Sequence, residues 1–203
     1  MKFNKKGTTI VEAIIVLLIV TTGVVGAFEI YKKSSNLTIS TQNRLQAIDI
    51  ASEGIEALTN IRDTNWLVFA ANRDNCWNTL NYNNNCLTAT NQTPNISAGN
   101  YIINKNIDNR WILTRYNQTN FDYTNTTYRN YFIVKKDTNG FYIQGSGDDF
   151  NPVFTREIKI SYPSTPTHPR EKMIVESIVK WQDNTSKNHY EVKLETTLSN
   201  WIK

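Results

Sequence analysis

The sequence predicts an α+β chain in which one long N-terminal helix packs on a C-terminal antiparallel sheet. Three observations predict it. Aliphatic residues crowd the stretch before residue 31, and Glu12 is the one charge between Lys6 and Glu29. No proline precedes Pro94 and no glycine lies between Gly26 and Gly54, so no strong breaker interrupts a helix there. From Tyr101 onward, apolar and polar side chains alternate between Asn, Asp and Pro turns, the period of half-buried strands.

The helix is expected from about Ile10 to about Arg62, roughly 80 Å at about 1.5 Å per residue. Its first half is apolar on every side: Ala13 to Val20, then a looser run through Gly23, Val24, Val25, Gly26, Ala27 and Phe28. Such a span crosses most of a hydrocarbon core. Lys2, Lys5 and Lys6 ahead of it favour a cytoplasmic N-terminus, which places the body on the outer side. Beyond Tyr31 the chain turns polar, and Leu45, Ile48, Ala51, Ile55, Leu58 and Ile61 recur every three or four residues, the stripe expected to face the body.

Charge belongs mainly to the extreme N-terminus. The net charge is +4, and removing Lys2, Lys5 and Lys6 leaves 19 basic against 18 acidic residues. A body so close to neutral carries no strong footprint for nucleic acid. The two cysteines, Cys76 and Cys86, stand ten positions apart. A zinc site needs about four ligands, and His168 and His189 are distant in sequence. A disulfide closing an Asn-rich loop fits better and implies an oxidising compartment; the alternative is two unpaired cysteines.

Glu12 needs a reason. A carboxylate inside a bilayer costs about 2.5–3.5 kcal/mol on insertion scales. A cleaved secretory signal, with Val25-Gly26-Ala27 as a small-residue site, has no use for it. A plain single-pass anchor leaves it equally unexplained. Gly7 followed five residues later by Glu12, basic residues before and aliphatics after, resembles the type III signal of type IV prepilins and pseudopilins.

That resemblance implies a membrane aspartyl peptidase that cuts between Gly7 and Thr8 and methylates the new amine. Thr8 stands where the family usually has Phe or Met. It also implies that Glu12 pairs with the N-terminal amine of a neighbouring filament subunit. A paired amine and carboxylate offset each other in an apolar core where either alone is costly. The stretch Glu53 to Leu58, with Asn60 to Asp63 and Trp66-Leu67, is similar to a recurrent segment of minor pilins. So, more loosely, are Phe154 to Ile158, Val179 to Trp181 and Leu194 to Trp201. The expected organisation is a leader over 1–7, a transmembrane or filament-core half-helix over 8–31, an amphipathic half over 32–62, and a loop and sheet body over 63–203.

The body begins with an irregular stretch from about Asp63 to Gly99, dense in Asn, Thr and Asp. Its run Asn81-Tyr82-Asn83-Asn84-Asn85 is of low complexity. Strands are expected at Tyr101 to Ile103, Trp111 to Leu113, Tyr131 to Val134, Phe141 to Ile143, Ile158 to Tyr162, Val175 to Trp181 and Tyr190 to Leu198. Asp137-Thr138-Asn139-Gly140 and Asp183-Asn184 serve as turns, and Pro163, Pro166 and Pro169 mark an exposed connection. One sheet face should be buried and the other wet.

No catalytic grouping, phosphate-cradling loop or metal-ligand pair emerges, so neither an enzyme nor a cofactor is expected. Gly145-Ser146-Gly147-Asp148-Asp149 fits a solvated turn better than a calcium loop. Arg110, Arg115 and Arg129 among aromatics suit sheet packing better than single-stranded nucleic acid. The resemblance implies a structural subunit, a minor pilin or pseudopilin of a type IV pilus or type II secretion-like filament. Its partners would be prepilin peptidase, other pilin subunits, an inner-membrane assembly platform, and membrane lipid before assembly. The alternatives are an adhesin or DNA-binding module carried on such a filament, and an anchored ectodomain that never polymerises.

Overall fold

The computed structural model describes residues 10–88, 96–117, 121–137, 140–144, 148–150, 153–163, 172–183 and 187–200. It is α+β, and it divides into an N-terminal unit up to Gln42 and a body from Asn43. Helix α1 covers Ile10–Val68, passing the end expected at Arg62. The extra turns are held by packing. Asn65 is fully buried and its Nδ2 donates to Trp77 O at 3.3 Å and Thr79 O at 2.9 Å.

The buried face of α1 keeps Ala51, Leu58 and Ile61 of the expected stripe, with Ile55 packed against the core, and departs from it at the other two positions. Leu45 is 58 % exposed and Ile48 36 %. The residues that face the sheet are Asn43, Ala47, Ile50, Ala51, Gly54, Ala57, Leu58 and Ile61. Small side chains decide this, because they let the helix come close to the strands. A Cβ added at Gly54 would lie 2.6 Å from Ser177 Oγ and 2.9 Å from Ile158 Cδ1.

After α1 come 3-10 turns and the short helix α2, Arg73–Cys76, in the stretch expected to be irregular. The body then has strands β1 (Gly99–Lys105), β2 (Trp111–Tyr116), β3 (Lys135–Lys136), β4 (Tyr142–Ile143), β5 (Asp148–Asp149), β6 (Phe154–Ser161), β7 (Lys172–Gln182) and β8 (His189–Ser199). The main sheet runs β2-β1-β6-β7-β8, antiparallel throughout, and a small sheet runs β4-β3-β5. The β1–β2 and β7–β8 hairpins match the expected strands, and β3 and β4 flank the expected turn at Asp137. Thr138, Asn139, Gly145 to Gly147, Pro166, His168, Pro169, Asn184 and Trp201 lie outside the described residues.

Tyr131 to Val134 is not a strand. Tyr131 and Phe132 end helix α3, Thr126–Phe132, and Ile133 makes an isolated bridge to Thr155. Asn125 caps that helix, its Oδ1 accepting from the N–H groups of Thr127 at 2.8 Å and Tyr128 at 3.1 Å. The helix turns Tyr128 and Phe132 into a buried aromatic cluster with Tyr116 and Tyr123. That cluster covers part of the sheet face opposite α1. Strand β6 is therefore buried on both faces from Phe154 to Ile158, where one wet face was expected.

Candidate membrane and assembly segment

The N-terminal half of α1 is the segment with the clearest physical demand for a partner. Ile10, Val11, Ile14 to Val20, Val24, Val25, Phe28, Ile30 and Tyr31 are all exposed. Helix α1 is long and apolar enough to cross a membrane, and none of its most apolar window is buried within the chain. Thr21 and Thr22 suit such surroundings, since their hydroxyls bond back to Leu18 O and Ile19 O within 3.0 Å. A Cβ at Gly23 or Gly26 would meet nothing within 4 Å, so both leave flat patches on the helix surface.

Glu12 lies in the first described turn of α1. Among the described residues no basic side chain pairs with it. Gly7 and Thr8, the expected processing site, lie outside the described residues.

Cys76 and Cys86 are disulfide-bonded, with Cα atoms 5.1 Å apart. Both are buried beside Phe69, directly after the end of α1. The expected pairing therefore stands, and it clips the turns that follow the helix.

The sequence missed several polar side chains that organise the body. Asn81 behaves as a surrogate strand: its Nδ2 donates to Leu113 O at 3.0 Å and its Oδ1 accepts from Leu113 N at 2.8 Å. Tyr82 OH donates to Trp111 O at 2.9 Å and Tyr131 OH to Arg115 O at 3.0 Å, so the outer edge of β2 is closed by side chains. Asn81 and Tyr82 hold φ of 50° and 60°, conformations that these contacts sustain. The Asn-rich composition was the visible signal, but it does not tell which asparagine reaches a strand.

A groove of about 640 Å³ opens on the sheet face opposite α1, lined among others by Arg115, Tyr116, Phe121, Glu157, Lys159 and Lys180. Lys180 Nζ donates to Phe121 O at 3.1 Å and Lys159 pairs with Glu176 at 2.8 Å. Glu157 is buried at its floor and accepts from Tyr128 OH at 2.8 Å. Burial pushes the Glu157 carboxyl above its ordinary value, against the Tyr128 hydrogen bond and the charges of Lys180 and Lys159. Burial, with Glu157 alongside, likewise pushes the Tyr128 phenol up.

Among the described residues no group of three His, Cys, Asp or Glu side chains could hold a metal. Asp149 pairs with Lys135 at 3.1 Å. Arg110 sits over the Tyr82 ring at 5.5 Å and Arg129 over Tyr123 at 5.9 Å, each engaged within the body. Set against protein-family models, curated proteins and solved structures, the chain matches none.

Proposed function

We propose that this chain is a filament subunit, a minor pilin or pseudopilin of a type IV pilus or type II secretion-like machine. Prepilin peptidase cuts it after Gly7, and it is stored in the membrane through α1 until an assembly platform adds it to other subunits. The observation that carries this reading is Glu12, a single acid at the front of an all-apolar helix, five residues after Gly7 and behind three lysines. In lipid the helix leaves that acid without a fixed counter-charge. In a filament, the amine freed at Thr8 of a neighbour supplies one, and losing either partner would leave the other charge buried and unpaired. The Cys76–Cys86 disulfide supports a body outside the cytoplasm.

Shearing surface filaments from the host tests the reading. Wild-type chain is expected in the sheared fraction, and Glu12→Ala is expected to stay in the membrane. A Glu12→Ala protein incorporated at wild-type level would contradict the pairing. Wild-type chain missing from every sheared fraction would favour the anchored ectodomain.

A further inference from the structure

The groove on the sheet face opposite α1 is charged unevenly along its length, and strand register fixes the order of its groups. Gly99 pairs with Ile160 of β6, and Lys180 pairs with Thr155. The two ends of the groove are thus separated by the run from Thr155 to Ile160, about 16 Å of strand. Arg115 lies at the Gly99 end. Its Nη2 donates to Ala98 O at 3.1 Å, and a Cβ at Gly99 would stand 3.1 Å from its Nε, so a side chain there would crowd the guanidinium. Lys180 lies at the other end, its Nζ held by Phe121 O, with Glu191 opposite it on β8. Each of these two cations spends a donor on a neutral carbonyl. Among the described residues neither joins an ion pair, whereas Lys159 is already neutralised by Glu176. Glu157 lies on the floor between the ends, Asn100 and Asn117 add amides, and Phe121, 38 % exposed, adds an apolar wall.

We propose that this groove binds an acidic oligosaccharide, with uronic acids on Arg115 and Lys180 and a neutral sugar over Glu157. A guanidinium and an ammonium without ion-pair partners recognise carboxylates through charge-assisted hydrogen bonds. The acid between them selects a ligand whose negative charges are spaced apart and whose middle donates hydroxyl groups. A nucleic acid or an acidic peptide carries charge in every unit and would set one above Glu157. Two cations also release too few counterions to hold a polyanion at ordinary salt. The amides match hydroxyls as donor and acceptor, and the Phe121 wall suits the C–H face of a sugar ring. About 640 Å³ has room for two or three such rings. This inference concerns the body and is independent of how the N-terminus is processed.

The test titrates the full chain calorimetrically, in a detergent without sugar headgroups, with a hyaluronan tetrasaccharide, in which glucuronic acid alternates with a neutral amino sugar. Saturable binding at one site per chain is expected, and none of neutral chitotetraose. Arg115→Gln and Lys180→Gln should each weaken binding about tenfold, the loss of one charge-assisted contact. Lys136→Gln, at an exposed lysine outside the groove, should leave it unchanged. A wild type that does not bind, equal binding of chitotetraose, an affinity insensitive to both groove variants, or an equal loss in Lys136→Gln would overturn the proposal. Tighter binding of a tetraglutamate peptide or of an oligothymidylate would overturn it too, and would reassign the groove to that class of ligand.

Discussion

Arg156 joins helix to sheet by itself. It is fully buried on β6, and its Nη1 donates to Glu53 Oε1 at 3.0 Å and to Ile50 O at 3.3 Å. Its Nη2 reaches Ile103 O at 3.4 Å and Tyr142 O at 3.3 Å, so one guanidinium ties α1, β1, β4 and β6. Arg156→Ala would strand those carbonyls and the Glu53 carboxylate. It is expected to cost about 3–4 kcal/mol in urea unfolding of the detergent-solubilised chain. Its neighbour Glu157 acts through pH. Its folded value lies above the ordinary 4.5, so the folded state holds the proton longer than the unfolded chain. The stability this group contributes is full below about 4.5 and falls as pH climbs through the raised value. Glu157→Gln keeps an acceptor for Tyr128 and removes the charge. Thermal melts across pH are expected to lose that falling limb and to show a higher midpoint at pH 7. Neither residue was legible as buried in the sequence, because Glu157 alternates with Ile158 and reads as part of a wet face, and Arg156 stands ahead of the strand expected at Ile158 to Tyr162. Only the placement of α1 and α3 on opposite sides of β6 reveals their environment.

Among the elements, α1 and the hairpin of β7 and β8 were legible, because long periodic runs without breakers leave few alternatives. The side of α1 that meets the sheet was legible only in part. Ala51, Leu58 and Ile61 turn inward as expected, whereas Leu45 and Ile48 stay out and close contact brings in Ala47, Gly54 and Ala57. Gly54→Ala tests this. Alanine favours helix by up to about 1 kcal/mol, but the new methyl meets Ser177 and Ile158 below contact distance. The expected net effect is a loss of about 1–2 kcal/mol in the same unfolding measurement. Helix α3 was missed for a related reason. Tyr131 to Val134 has strand-like composition, but the Asn125 cap and the burial of Tyr128 and Phe132 favour one helical turn after another. The Asn81 edge closure depends on a tertiary meeting some thirty residues away along the chain, which no local pattern encodes. Asn81→Ala should cost about 1–3 kcal/mol by leaving both backbone groups of Leu113 without that partner. Replacing Cys76 and Cys86 with serine should cost about 2–3 kcal/mol through the freed loop.

For the whole molecule, the structure supplies a membrane-compatible helix and a disulfide-clipped sheet body. The most apolar window of α1 has no cover within the chain and is long enough to cross a membrane. The body has a core of its own, built from Ala47 to Ile61 on α1 against β1, β2, β6 and β7. Sequence alone pointed to this division through the uneven spread of aliphatic residues. The filament reading depends on the first twelve residues, where the physical claim is that Glu12 awaits an amine made by proteolysis. Mass spectrometry of the chain purified from a host that has the processing peptidase tests that claim most directly. The account predicts a mature chain that begins at Thr8. An intact Met1, or a start near Phe28, would contradict it.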